Sequence, residues 1–179
     1  MFEIQPMDPE RYREQTRRST LIIVALLAVS CVGMATLSIA LFGTPGGNNF
    51  RWNLGGVLAG LLLAIAIVRF YCWQQPWMAS AVYGFRLKRN LMKVTNIMHQ
   101  VEAGVAANDP TAMRVLRFYH LGVTQMYRLD GNTSALSDMV RQVDEHRERM
   151  LAHGLTPEQE RLDPAWLSAV SERWRGGKD

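Results

Sequence analysis

"STLIIVALLAVSCVGMATLSIALF", residues 19–42, runs for 24 residues without a charged side chain. As a helix it is about 36 Å long, longer than the ~30 Å hydrocarbon core of a bilayer. A second run, "LGGVLAGLLLAIAIVRFYCW" at 54–73, carries one charge, Arg69, near its end. Two runs of this kind predict an all-α chain: a two-helix transmembrane hairpin followed by a cytoplasmic antiparallel helical bundle. The expected layout is a cytoplasmic juxtamembrane helix at 1–18, spans at 19–42 and 54–75, a short periplasmic loop at 43–53, and a helical domain over 76–179.

The flanks of the second run read as a membrane boundary. Phe50 and Trp52 precede it, and Phe70, Tyr71, Trp73 and Trp77 follow, as amphipathic rings do at a water–lipid interface. The long stem of Arg69 lets its guanidinium snorkel to the headgroups. The first run is too long for a signal peptide, whose apolar core is shorter and is followed by a cleavage site. Cys31, after "LAVS", raises a lipoprotein reading, but the apolar run continues past it through "VGMATLSIALF". Cys31 and Cys72 read as small buried hydrophobes, with no disulfide or metal spacing.

Charge placement gives an orientation. All 16 acidic residues lie at or before Glu14 or at or after Glu102. Between them Arg17, Arg18, Arg51, Arg69, Arg86, Lys88, Arg89 and Lys93 are unopposed, while each flank carries two more acids than bases. The positive excess is therefore membrane-proximal. That excludes nucleic acid, whose binder would carry its basic patch on the folded domain. It suits anionic lipid headgroups met by Arg17, Arg18, Arg69, Arg86, Lys88, Arg89 and Lys93. The loop "GTPGGNNFRWN" holds one arginine, so the positive-inside rule places both termini in the cytoplasm.

Beyond the spans, four dipeptides read as helix starts: Asp8-Pro9, Asp109-Pro110, Thr156-Pro157 and Asp163-Pro164. In each, a side-chain oxygen caps free N–H groups and proline takes the first helical position. The first helix is expected from Pro9 unbroken through the span, ending at Gly43, Pro45, Gly46 and Gly47. Pro76 interrupts the exit from the second span, and helix resumes near Trp77 or Met78.

Apolar spacing then predicts three antiparallel helices. Their seams are Leu87, Leu91, Val94, Met98, Val101, Val105; then Met113, Leu116, His120, Val123, Tyr127; then Leu136, Met139, Val143, His146, Met150. A last helix, 164–175, puts Trp166, Leu167, Val170 and Trp174 on one face. That face either docks on the bundle or, through Trp166, Val170 and Trp174, meets the bilayer interface or a partner.

Catalytic patterning is weak. His99, His120, His146 and His153 lie in no recognised motif, and His146 in "DEHRER" reads more simply as part of a solvated face with Arg147 and Arg149. No nucleophile elbow, phosphate loop or dinucleotide fingerprint occurs. No enzyme, cofactor or metal site is expected.

Gly56, Gly60 and Ala64 recur every fourth residue in the second span, a stripe that lets helix backbones approach in lipid. It serves either packing against the first span, which offers Ala25, Ala28, Gly33 and Thr36, or self-association.

With its "MDPERYR" opening (7–13), paired spans and helical C-terminal half, the chain resembles an uncharacterised family of two-pass proteobacterial inner-membrane proteins. The resemblance implies that location and assigns no activity. The functional expectation is a membrane-anchored interaction or scaffold module, contacting the lipid bilayer and a protein partner or further copies of itself. The alternative is a lipid- or ligand-responsive regulator with a pocket near Tyr119, His120 and Tyr127.

Overall fold

The computed structural model describes residues 1–175, and the end of the expected 76–179 domain, residues 176–179, lies outside the described residues. The fold is all-α apart from one short strand pairing. In order come β1 (Phe2–Glu3), α1 (Pro9–Phe42), α2 (Phe50–Phe70), two 3-10 turns (Cys72–Gln74 and Pro76–Met78), α3 (Ala79–Thr95), α4 (Met98–Ala106), α5 (Pro110–Asp130), α6 (Thr133–Ala152), β2 (Arg161–Leu162) and α7 (Pro164–Arg173). The described residues divide into two compact units, one of residues 14–82 and one of residues 1–13 with 83–175.

The first unit is the long hairpin. α1 starts at Pro9, where the Asp8 carboxylate accepts the Glu10 N–H at 2.8 Å. α2 begins inside the segment read as loop, because the Asn48 carboxamide accepts the Phe50 N–H at 3.0 Å and so starts the helix early. Asn49 ties the turn itself, accepting from Thr44 N at 2.8 Å and donating to Thr44 O at 3.2 Å. At the other end, Cys72, Met78 and Val82 form a small core with Ile23, Leu26, Ile67, Trp73 and Trp77. Cys72 is thus the buried hydrophobe expected. The Ser19 hydroxyl, 1% exposed, lies 2.8 Å from the carbonyls of Gln15 and Trp77, and Ser80 donates to the Gln15 carboxamide. Two hydroxyls therefore hold the second 3-10 turn and the start of α3 on α1, a tie with no signature in the sequence.

The second unit is a helical bundle around Val94, Val101, Met113, Val115, Phe118 and Met150, all fully buried. Two expectations are corrected here. The first seam is not one helix: it breaks at Asn96–Ile97 between α3 and α4. Val94, Thr95, Asn96 and Ile97 are all poor helix formers, and the Thr95 hydroxyl bonds back to Leu91 O at 3.1 Å, which bends the ladder. Thr156-Pro157 starts no helix, because the stretch up to β2 is claimed by other bonds: the Pro157 carbonyl accepts from Arg117 and the Glu160 carbonyl accepts from Ile4 N at 2.9 Å. Residues 1–13 belong to this unit. β1 pairs antiparallel with β2, Phe2 opposite Leu162 and Glu3 opposite Arg161, and Ile4 and Tyr12 enter the bundle core.

The α5–α6 turn follows its sequence signal. Gly131 closes α5 in the left-handed region at φ 73°, and the Asn132 side chain caps α6 at Ala135 N.

Candidate functional site

The small-residue stripe faces its own hairpin. Gly56, Gly60 and Ala64 are the buried residues of α2. A Cβ at Gly56 would collide with the Ala35 and Met34 backbone, and one at Gly60 with the Ser30 and Cys31 backbone. Of the two readings of the stripe, the geometry is that of intrachain packing. The seven basic residues assigned to headgroups, Arg17, Arg18, Arg69, Arg86, Lys88, Arg89 and Lys93, are all exposed. Lys88 bonds Asp130 at 3.2 Å, while Arg69 lies over the Trp73 ring, 6.0 Å from its centre.

The polar centre of the bundle unit is a buried trio from α5 and α6. His120 and His146 are each 6% exposed and Arg117 is 7% exposed. His146 is therefore no part of a solvated face: it continues the inner seam, and its Nε2 lies 3.0 Å from Met113 O. The two rings meet edge to face at 5.3 Å. Arg117 donates through Nε to Pro157 O at 2.8 Å and through its terminal nitrogen to Val143 O at 3.1 Å. The guanidinium thus joins α5, α6 and the loop after α6. Burial lowers the His120 pKa to about 4, helped by the charges of His146 and Arg117. Burial also lowers His146; the Met113 hydrogen bond opposes it, and Arg117 and Arg149 add to it. Both rings are neutral at pH 7. His120 Nδ1 is buried without a hydrogen-bond partner.

Sequence periodicity placed Leu116 on this seam and passed over Arg117. The available signal was the spacing Met113, Arg117, His120, which shares one face of α5 at steps of four and three.

Asp109 does two jobs. One carboxylate oxygen caps α5, accepting from Thr111 N at 2.7 Å and Ala112 N at 3.3 Å. The other accepts from Arg173 at 2.9 Å and from Trp174 Nε1 at 3.3 Å. Burial alone would raise its pKa, but these four donors outweigh burial and lower it. The Asp109 anchor and the 1% exposed Val170 settle where the face of α7 lies: Trp166, Val170 and Trp174 pack on the bundle, with Leu167 beside them.

The pocket expected near Tyr119, His120 and Tyr127 divides. Tyr119 and Tyr127 line a groove of about 250 Å³ with Leu91, Met92 and Val123, with Lys88 also on its wall. His120 does not line it and points instead at α6. Among the described residues, no three His, Cys, Asp or Glu side chains converge as a metal site.

Comparison with known proteins bears on the whole chain. A family described as a protein of unknown function, DUF3087, matches residues 2–167. The chain belongs to the DUF3087 family. The match spans both the hairpin and the bundle, from β1 into α7, so both units belong to one family architecture. No curated protein and no solved structure matches it. Membership in DUF3087 carries no assigned activity to the residues above.

Proposed function

We propose that the chain is a membrane-anchored helical interaction module, whose hairpin holds the bundle unit beside a bilayer. One observation carries the reading: the hairpin's apolar side chains point outward. Leu21, Val24, Val29, Val32 and Leu41 on α1, and Leu58, Leu62 and Ile65 on α2, are exposed. Only 11% of the most apolar window of α1 and 17% of that of α2 is buried. The core helix of a water-soluble protein has the opposite pattern, because apolar surface left in water is unfavourable at roughly 25 cal/mol per Å². Lipid is the solvent that such a surface fits.

The basic residues around the two helices support the finer reading. It places the chain in a bacterial inner membrane with both termini cytoplasmic, and gives it lipid headgroups and a protein partner or further copies as contacts, without nucleic acid or catalysis. A second reading, a lipid- or ligand-responsive regulator, is favoured by the 250 Å³ groove between α3 and α5. Its test is ligand-dependent protection of Tyr119 and Tyr127 from iodination.

The test of the first reading starts with alkaline carbonate extraction of native membranes and continues with mild-detergent purification and mass determination. An integral chain that brings a stoichiometric protein or further copies with it is the expected result. A chain released by carbonate, or retained as a bare monomer, would sink the reading.

A further inference from the structure

We propose that the hairpin carries a binding site for one anionic phospholipid, its acyl chain in the groove between α1 and α2 and its phosphate on Arg69. The proposal rests on the membrane reading above and names a ligand for one of its basic residues. The groove measures about 350 Å³, and its walls, among them Ile23, Leu27, Leu61, Ile65 and Val68, are apolar almost throughout. Among the described residues, Arg69 is the one charged residue that lines it, and it stands in the last turn of α2, where an acyl chain lying along the groove would meet its headgroup. Trp73 lies at the same end with the guanidinium over its ring, which holds the cation at the mouth of the groove.

Charge complementarity chooses the occupant. A greasy groove alone would accept any apolar segment, including the span of a second copy. A second copy, however, brings its own Arg69 and has no acidic residue between Glu14 and Glu102 with which to answer this one. The guanidinium would meet a like charge in a medium that screens it poorly. A phosphodiester supplies the missing anion and matches the guanidinium fork bidentately, whereas phosphatidylcholine offers the same phosphate already countered by its own trimethylammonium.

The test uses the full-length protein, delipidated in mild detergent and offered phosphatidylglycerol and phosphatidylcholine of equal chain length in equal amounts. Native mass spectrometry then counts the lipid retained. The expected result is one phosphatidylglycerol per chain, preferred by roughly fivefold. Arg69→Gln abolishes the preference and Arg69→Lys keeps part of it. Leu61→Trp, which fills the groove without touching charge, expels the lipid, and Arg51→Gln leaves it in place. An unchanged preference in Arg69→Gln overturns the proposal, as does disulfide crosslinking of a Leu61→Cys variant to a second copy in the native bilayer. Release of the chain by carbonate would instead defeat the membrane reading; a carbonate-resistant chain with no lipid preference defeats the lipid site alone.

Discussion

His120 on α5 and His146 on α6 meet edge to face, with ring centres 5.3 Å apart and neither ring open to water. Both are held neutral, so the folded chain resists taking up protons that the unfolded chain accepts near pH 6.5. The stability from this pair is full above the unfolded pKa and is lost as pH falls from about 6.5 toward the folded value of about 4 for His120. The loss at His120 amounts to roughly 3 kcal/mol at the acid end. His120→Leu removes that titration and the partnerless Nδ1, so it raises stability at pH 7 by about 1 kcal/mol and flattens the acid limb. Urea titrations of both proteins between pH 7.5 and 4.5 check this, and parallel acid limbs would refute it.

Arg117→Ala leaves two carbonyls, Pro157 O and Val143 O, without the donor that joins them. The expected cost is about 3 kcal/mol, since hydrogen bonds to a charged group contribute about 1.5–3 kcal/mol each. Arg117→Lys recovers only part of it, because one ammonium lacks the fork that reaches both acceptors. Limited proteolysis in the 153–160 loop reports the same change locally. Equal cleavage in wild type and Arg117→Ala would show that the loop is held by something else.

Asp109 separates its two jobs by substitution. Asp109→Asn keeps a capping oxygen and weakens the bond to Arg173, costing about 1 kcal/mol, whereas Asp109→Ala loses both and costs about 2 kcal/mol. Hydrogen exchange resolves them: α7 amides quicken in both variants, and those at the start of α5 quicken only in Asp109→Ala.

The hairpin offers a paired control. Gly56→Leu drives a side chain into the Ala35 backbone and destabilises the hairpin by about 1–3 kcal/mol, while Gly55→Leu points into open space and stays within about 0.5 kcal/mol. Thermal unfolding in nanodiscs measures both. Equal effects would mean that Gly56 does not pack on α1.

Long-period features were legible in the sequence. The charge-free run at 19–42 gave α1, the Asp-Pro pairs at 109 and 163 gave α5 and α7, and the turn "LDGNTS" gave the corner before α6. Each is a local signal whose physical cause lies within a few residues. The misses, the locally caused break at Asn96 apart, have the opposite character. The break at Asn96 lies within an intact apolar period, so periodicity runs straight across it. Thr156-Pro157 has a sound cap chemistry that loses to Arg117, 40 residues away, and to the strand pairing with the N-terminal segment. Arg117 itself was hidden because charge is read as exposure, although a guanidinium with two carbonyl partners is satisfied inside. The partnership of Asp109 with Trp174 likewise spans 65 residues and has no local trace.

The pairing of Phe2 and Glu3 with Leu162 and Arg161 fixes an order of assembly. The hairpin unit is one continuous stretch, 14–82, and every residue it needs has been made early in synthesis. The bundle unit is discontinuous: its first strand leaves the ribosome before the hairpin and waits for a partner strand made only after the hairpin and α3–α6. At ordinary elongation rates that wait is roughly 10–30 s. The main-chain edge of Phe2 and Glu3 therefore stays unpaired until Arg161 and Leu162 are made, and a nascent chain stalled before residue 160 presents that edge to any chaperone or protease that reads extended segments.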